Sequence, residues 1–485
     1  MVNLRIISKI IGSLLFVEAF FMLWCVGLAL WYDESDFMAF LMSTLLTFGC
    51  GCLFLFYGRH SGNSLHRRDA YLVVTAVWVI FSLFGMFPYL IHGSITNLAD
   101  AYFETMSGFT TTGCSVLDDV ERLPHGILFW RSLTQWIGGL GIVFFTIAVL
   151  PSFVGGSVKV FAAEATGPVK AKMHPRLTTS AKWIWSIYLV LTAGCGLAFW
   201  VAGMDWFDAT NYSMTTTATG GFSTHNDTTA FFASPLIDYI AITFEFLAGI
   251  NFTLLYLTFF KQSPMTLLRN AEFKFYVAVV AATTVCITYL LISRLDYGYE
   301  DAFRSALFQV VSFITTTGLF NDNVAAWPHI TWVILGCLMF AGACAGSTTG
   351  GFKSVRTVML LKVLRNEFRH ILHPNAVLPV KLGDQSVPQS RIVSLLAFFT
   401  AYVIMSLITV AIMVTSDIDI TNAITIALSC MSNVGPSLST DIGANMSWSM
   451  LPDTIKWACS LLMLTGRLEI MTVLVLFTRS FWKDN

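Results

Sequence analysis

Charged side chains are scarce in this 485-residue chain: they make up 12% of it, about half the share in a soluble domain, against 55% hydrophobic residues and a mean hydropathy of +0.69. That composition excludes a soluble globular protein. Apolar runs of roughly 20 residues, long enough to cross a bilayer, recur along the whole length, so the chain reads as a polytopic protein of the lipid bilayer. A net charge of −1 gives no electrostatic basis for a nucleic-acid partner.

Other absences narrow the class further. Ten cysteines are present, but there is no C-x-x-C pair and no His/Cys cluster at zinc spacing. Eight of them (Cys25, Cys50, Cys52, Cys195, Cys286, Cys337, Cys344 and Cys459) fall inside apolar runs and read as buried, reduced thiols. There is no H-E-x-x-H and no pair of intramembrane aspartates, so an intramembrane enzyme is not indicated, nor is any cofactor. The basic, apolar N-terminus lacks a small-residue cleavage site before Trp31–Asp36 and reads as a retained first helix.

Apolar spans predict helices over 7–32, 37–57, 69–92, 127–150, 180–203, 236–260, 272–293, 328–341, 354–372, 392–415 and 454–480. Between some of them lie segments of about 12 residues near 98–111, 206–217, 301–315 and 420–431, too short to cross. Basic residues collect in one set of connections: Arg59, Arg67 and Arg68; Lys159, Lys170, Lys172, Arg176 and Lys182; Lys261, Arg269 and Lys274; Arg356 to Arg391; Arg479 and Lys483. The alternate connections carry Asp33, Glu34, Asp36, Asp118, Asp119 and Glu121. The positive-inside rule then places both termini in the cytoplasm and the short segments on the outer side.

Four of the short segments end in related strings: "TTTGCSV" (110–116), "TATGGFS" (217–223), "TTTGLFN" (315–321) and "SNVGPSL" (432–438). Each is preceded by a crossing helix and followed by another, which defines a repeat of helix, half-helix, loop and helix. The expected division is two N-terminal helices over 1–66, then repeats over 67–155, 156–265, 266–380 and 381–485. Each unit crosses twice, so all four enter with the same orientation and can surround one axis with pseudo-fourfold symmetry. Inverted repeats would need an odd number of crossings. The predicted class is therefore an all-α polytopic membrane protein with four parallel repeats around one pore.

Non-helical backbone at membrane depth must be buried in protein or line a water-filled path. A glycine-bearing loop repeated four times around an axis supplies a ring of carbonyl oxygens that can replace the hydration shell of a monovalent cation. The half-helix C-termini, with their partial negative charge, favour a cation at the centre. No ring of Asp or Glu stands beside the loops, which argues against a divalent-cation filter.

The four single-glycine strings resemble the selectivity filters of the Trk/Ktr/HKT family of potassium transporters. "WIGGLGI" (136–142), "GSTTGGFKS" (346–354) and "LTGRLEI" (464–470) are similar to that family's second crossing helices. The two extra N-terminal helices point to its TrkH branch rather than the shorter KtrB branch. Carried over by position, the resemblance implies ion-coordinating backbone at Thr111, Thr112 and Gly113; Ala218, Thr219 and Gly220; Thr316, Thr317 and Gly318; and Asn433, Val434 and Gly435. It further implies potassium as substrate, a bacterial inner-membrane location, a homodimer and a cytosolic nucleotide-binding regulatory subunit (TrkA-like). Potassium uptake would proceed by channel-like conduction. Sodium- or proton-coupled secondary transport on the same fold is the alternative.

"GACAGSTTGGFKS" (342–354) is one inserted Phe352 away from a phosphate-binding loop, but no α/β domain is present to carry one. From Pro328 to Leu372 a single helix would be about 65 Å long, twice the hydrocarbon thickness. Its glycines lie near mid-membrane, where the helix is predicted to break. In the related family this segment is a gate under the filter, which assigns that role to Gly342, Gly346, Ser347, Thr348, Thr349, Gly350, Gly351 and Lys353. The following stretch, with Arg356, Lys362, Arg365 and Arg369, reads as a cytosol-facing arm and a plausible lever for a partner. Arg467, beside Glu469 deep in the last repeat, is expected either to be a charge barrier in the pore or to form an internal salt bridge. Glu104 and Glu245 read as polar contacts between helices.

Overall fold

The computed structural model describes residues 2–61, 66–141, 177–383, 385–439 and 447–483. Among these, six helices are long and apolar enough to cross a membrane, and eight if two bent pairs are each counted as one span. Among the described residues the one strand pairing is a two-residue antiparallel ladder, Lys381–Leu382 with Gln385–Ser386.

The first two helices, Leu4–Tyr32 and Phe37–Gly58, form a hairpin. Asp33, in the left-handed region at φ 54°, ends the first of them. Small residues let the pair approach closely: a Cβ at Gly12 would meet the Gly51 carbonyl oxygen and the Leu55 nitrogen. Asn3 ties this hairpin to the first repeat by donating its backbone N–H to Asp69 at 2.9 Å.

Four helical units follow, each with a crossing helix, a half-helix and a second helix. The half-helices are Leu98–Phe109, Trp206–Ala218, Tyr299–Ile314 and Ile420–Ser432. Three start on a side-chain cap, in which Asn97, Asp205 and Asp419 accept from Ala99, Phe207 and Thr421 N–H. The second helices are His125–Gly139, Pro235–Ala248, His329–Ala341 and Asp453–Arg467. A proline stands at or just before each start (Pro124, Pro235, Pro328, Pro452), where a missing N–H costs nothing.

Two expected spans are not single helices. The predicted 236–260 helix is Pro235–Ala248 followed by Phe252–Phe259, bent by 102°, and 454–480 bends by 114° after Arg467. The expected 127–150 helix ends at Gly139, with Gly141 in the left-handed region at φ 88°, and residues 142–176, with Lys159, Lys170, Lys172 and Arg176, lie outside the described residues. All ten cysteines are free, and Cys52, Cys286 and Cys337 are exposed rather than buried, on helices whose outward faces are apolar. Glu245 is buried with both carboxylate oxygens lacking a hydrogen-bond partner, so it does not form the interhelical contact expected of it.

Candidate functional site

The four half-helices end in one backbone motif. Thr111, Thr219, Thr316 and Asn433 sit in the left-handed region at φ 52°, 54°, 57° and 55°. The next residue in each copy (Thr112, Gly220, Thr317, Val434) donates its N–H five residues back, to the carbonyls of Ser107, Thr215, Ser312 and Ser429, at 2.8–3.0 Å. One residue further on comes a glycine with positive φ: Gly113 (86°), Gly221 (80°), Gly318 (79°) and Gly435 (102°). Left-handed backbone is costly for β-branched threonine, and a well-packed surrounding must hold it there.

This register corrects one sequence expectation. In the second copy the equivalent triplet is Thr219–Gly220–Gly221, not Ala218–Thr219–Gly220. Ala218 is the last residue of the half-helix, and the glycine matching Gly113 is Gly221.

The loops interlock cyclically. A Cβ built on Gly113 would collide with the carbonyl oxygen of Gly220, one on Gly221 with that of Thr317, one on Gly318 with that of Val434, and one on Gly435 with that of Thr112. Each glycine thus lies against a carbonyl of the next copy and the fourth closes on the first, so side chains are excluded at all four. The same four glycines line one open cavity, together with Asp118, His225, Asn226, Ser447 and Trp448. Thr111, Thr112, Thr219, Thr316, Thr317, Asn433 and Val434 are all buried around it.

Side chains from the surrounding helices brace the ring. Arg131 and Glu104 form a buried pair at 2.9 Å. Glu104 also accepts from Val116 N–H and the Ser115 hydroxyl, while Arg131 donates to the Ser223 carbonyl, so the pair ties the first loop to the second. Within loops, Thr110 pairs with Thr112 at 2.7 Å and Thr315 with Thr317 at 2.8 Å. Asn433 spans two copies, donating to Thr112 Oγ1 at 3.0 Å and the Met463 carbonyl at 2.9 Å.

Beneath the ring the third repeat departs from helix. His329–Ala341 stops, 342–353 forms a loop, and Ser354–Leu372 resumes. Gly342, Gly346, Gly351 and Lys353 take positive φ there. This loop contacts the second and fourth repeats as well as its own half-helix. Gly350 N–H donates to Thr316 Oγ1 at 2.7 Å, and a Cβ at Gly350 would strike the Ser432 carbonyl. The second repeat holds the loop at its own bend: Cys344 N–H donates to the Gly249 carbonyl, Phe252 N–H to the Gly346 carbonyl, and Asn251 Nδ2 to the Ala345 carbonyl at 2.6 Å. Glu272 accepts from Ala345 N–H at 2.6 Å and Val355 N–H at 3.2 Å, clasping both arms of the loop. Within it, the Ser347 hydroxyl pairs with Thr349, and buried Lys353 donates its Nζ to the Thr349 carbonyl. A helix, not a strand, precedes the glycines, as the rejection of a phosphate loop requires.

Arg467 is half-buried and binds carbonyls: Thr348 of the loop at 2.7 Å, Gly138 at 2.7 Å and Gly139 at 2.6 Å. Glu469 forms an ion pair with Arg356 at 2.5 Å. The guanidinium therefore links the loop, the fourth repeat and the first repeat's second helix. Sequence reasoning missed Arg131, Asn251, Glu272 and Gly221. An arginine or carboxylate inside an otherwise apolar span is the signal that would have found Arg131 and Glu272.

On the cavity's rim, His225 approaches Asp208 at 3.1 Å and Glu121 at 3.5 Å. Partial burial works to lower the imidazole's pKa, but these two carboxylates outweigh it, and the net direction is upward.

Residues 36–484 match a protein family described as "TrkH: Cation transport protein". The chain is 36% identical to the "Trk system potassium uptake protein TrkH" of Escherichia coli strain K12, over 99% of this chain and all of that protein. It is 31% identical to the "Trk system potassium uptake protein TrkG" of the same strain, over 99% of each. The crystal structure of the potassium transporter TrkH from Vibrio parahaemolyticus superposes with a TM-score of 0.90 at 33% identity, over 99% of this chain and 100% of that one. Loops with one left-handed glycine each closing on one another, a broken helix beneath them and full-length similarity agree, and the chain belongs to the TrkH family of cation transport proteins.

Proposed function

We propose that this protein takes up potassium across a bacterial inner membrane by channel-like conduction through the four-loop ring. The observation that carries the reading is the cyclic interlock, in which Thr112, Gly220, Thr317 and Val434 each set a carbonyl against the preceding copy's glycine. Four backbone oxygens around one axis replace part of an ion's hydration shell, and their spacing prefers a weakly hydrated monovalent cation. Only one left-handed glycine follows in each copy, which leaves fewer well-formed sites than a longer glycine-bearing filter would.

The loop 342–353 acts as the gate. It lies under the ring and is bonded to Thr316, Glu272, Asn251 and Arg467, so conduction requires those contacts to open. Arg467 adds a fixed positive charge beside the path and deters cations while the loop is in place. The helix Ser354–Leu372 continues directly from the loop, which suits it to transmit movement from a cytosolic, nucleotide-binding, TrkA-like subunit. Both termini are cytoplasmic in this reading, and the protein works as a homodimer.

Single-channel recording and flux in proteoliposomes, comparing potassium with sodium, test the proposal. A potassium-preferring conductance at high turnover is expected. Flux that saturates at low turnover and depends on a sodium or proton gradient would replace the channel reading with coupled transport.

A further inference from the structure

The four copies differ at one ring position, where the residue supplying the carbonyl is Thr112, Gly220, Thr317 or Val434. Three of these carry side chains packed behind the ring. Gly220 carries none, and its φ lies outside the left-handed region, so the backbone does not require glycine there. The neighbouring space is filled by another residue: a Cβ at Gly220 would collide with the amide carbon, oxygen and nitrogen of Gln135.

Gln135 is fully buried in the second helix of the first repeat. Its Nε2 donates to the Gly220 carbonyl at 2.7 Å, and its Oε1 accepts from Phe222 N–H at 3.0 Å. The orientation of the amide follows from its partners, since Phe222 N–H can only donate and the Gly220 carbonyl can only accept. One helical turn earlier, Arg131 donates to the Ser223 carbonyl and lies 4.2 Å over the Phe222 ring. One helix face therefore grips the second loop at three consecutive points.

We propose that Gln135 is a positioning residue that determines selectivity: it stands in for the side chain the second loop lacks and fixes the direction of the Gly220 carbonyl. That carbonyl already accepts one strong hydrogen bond, which draws on its electron density and leaves one lone-pair direction for an ion. The ring then has one weaker, stiffer corner, built from a different repeat. This inference rests on the filter reading above.

Reversal potentials in proteoliposomes test it with Gln135→Met, which keeps the length and removes both hydrogen bonds. The potassium-to-sodium permeability ratio should fall about three- to tenfold, the worth of one or two lost hydrogen bonds. The double variant Gln135→Ala/Gly220→Thr, which restores a side chain in place as in the first and third copies, should recover most of the ratio. Gly220→Thr alone should clash and do worse than the double variant. A Gln135→Met protein that loses potassium and sodium flux equally, with its ratio unchanged, overturns the proposal. Should that variant fail to reach the membrane, the double variant decides: recovered selectivity supports the inference, and lost selectivity or failed assembly overturns it. Gly318→Ala in parallel separates the two readings. If it lowers the ratio while Gln135→Met does not, Gln135 alone is misassigned. If neither changes the ratio, the filter assignment falls as well.

Discussion

The two halves of each repeat obey different rules. At the level of the ring the four copies share a left-handed residue, an N–H bonded five residues back and a left-handed glycine, despite the strings TTTG, ATGG, TTTG and SNVG. Below the ring the second helices diverge. Pro235–Ala248 bends by 102° into Phe252–Phe259, His329–Ala341 gives way to a loop, and Asp453–Arg467 bends by 114°. In the proposed reading a cation is surrounded equally only by equivalent oxygens, so the ring would tolerate sequence change but not backbone change. A blocking element, in the same reading, needs only one copy to supply it, so symmetry below the ring would confer nothing.

Breaking the symmetric half should have the largest effect. Gly318→Val would force a side chain against the Val434 carbonyl and the Pro436 ring at a φ of 79°. It should abolish selective conduction while the protein still reaches the membrane, as recorded by flux and by membrane immunoblot. In the asymmetric half, deleting part of 346–351 should raise basal conductance in single-channel records, and a folded but silent protein would count against the gate. Glu272→Leu is a gentler version. It removes both of that carboxyl's bonds to the loop's arms, worth roughly 0.5–1.5 kcal/mol each, and should raise basal flux about tenfold without changing the permeability ratio. A changed ratio with unchanged basal flux would mean that Glu272 serves the ring and not the loop.

The smallest effect belongs to the rim. His225 has a raised pKa in the folded protein, so its stabilisation is present below about pH 6.5 and is lost as pH rises through the folded value. Thermal stability in detergent should fall modestly between about pH 6 and pH 9, by under about 1 kcal/mol, and His225→Gln should flatten that dependence.

The symmetric half was largely legible in the sequence, because its backbone demands glycine at fixed spacing and glycine is visible as a letter. Its one error came from adjacent glycines: "TGG" does not reveal which of Gly220 and Gly221 carries the positive φ. The asymmetric half was legible only where small residues crowded together, at 342–353. The bends after Ala248 and Arg467 escaped notice because apolar averaging over 236–260 and 454–480 registers composition and not direction. Asn251, which caps the restarted helix at Thr253 N–H, was the one local clue to the first bend. The clasp by Glu272 and the brace by Gln135 join residues 73 and 85 positions apart in sequence, and no local pattern encodes such pairs.

The cyclic closure has a consequence for how such a ring can change over time. In an assembly of four identical subunits any substitution is made four times at once, and most such quadruple changes would be fatal. Here all four corners belong to one polypeptide, so each can drift or be engineered alone while three intact neighbours hold the aperture. Asn433, Val434 and the bare Gly220 look like the record of that freedom: a tetramer whose corners are inherited separately.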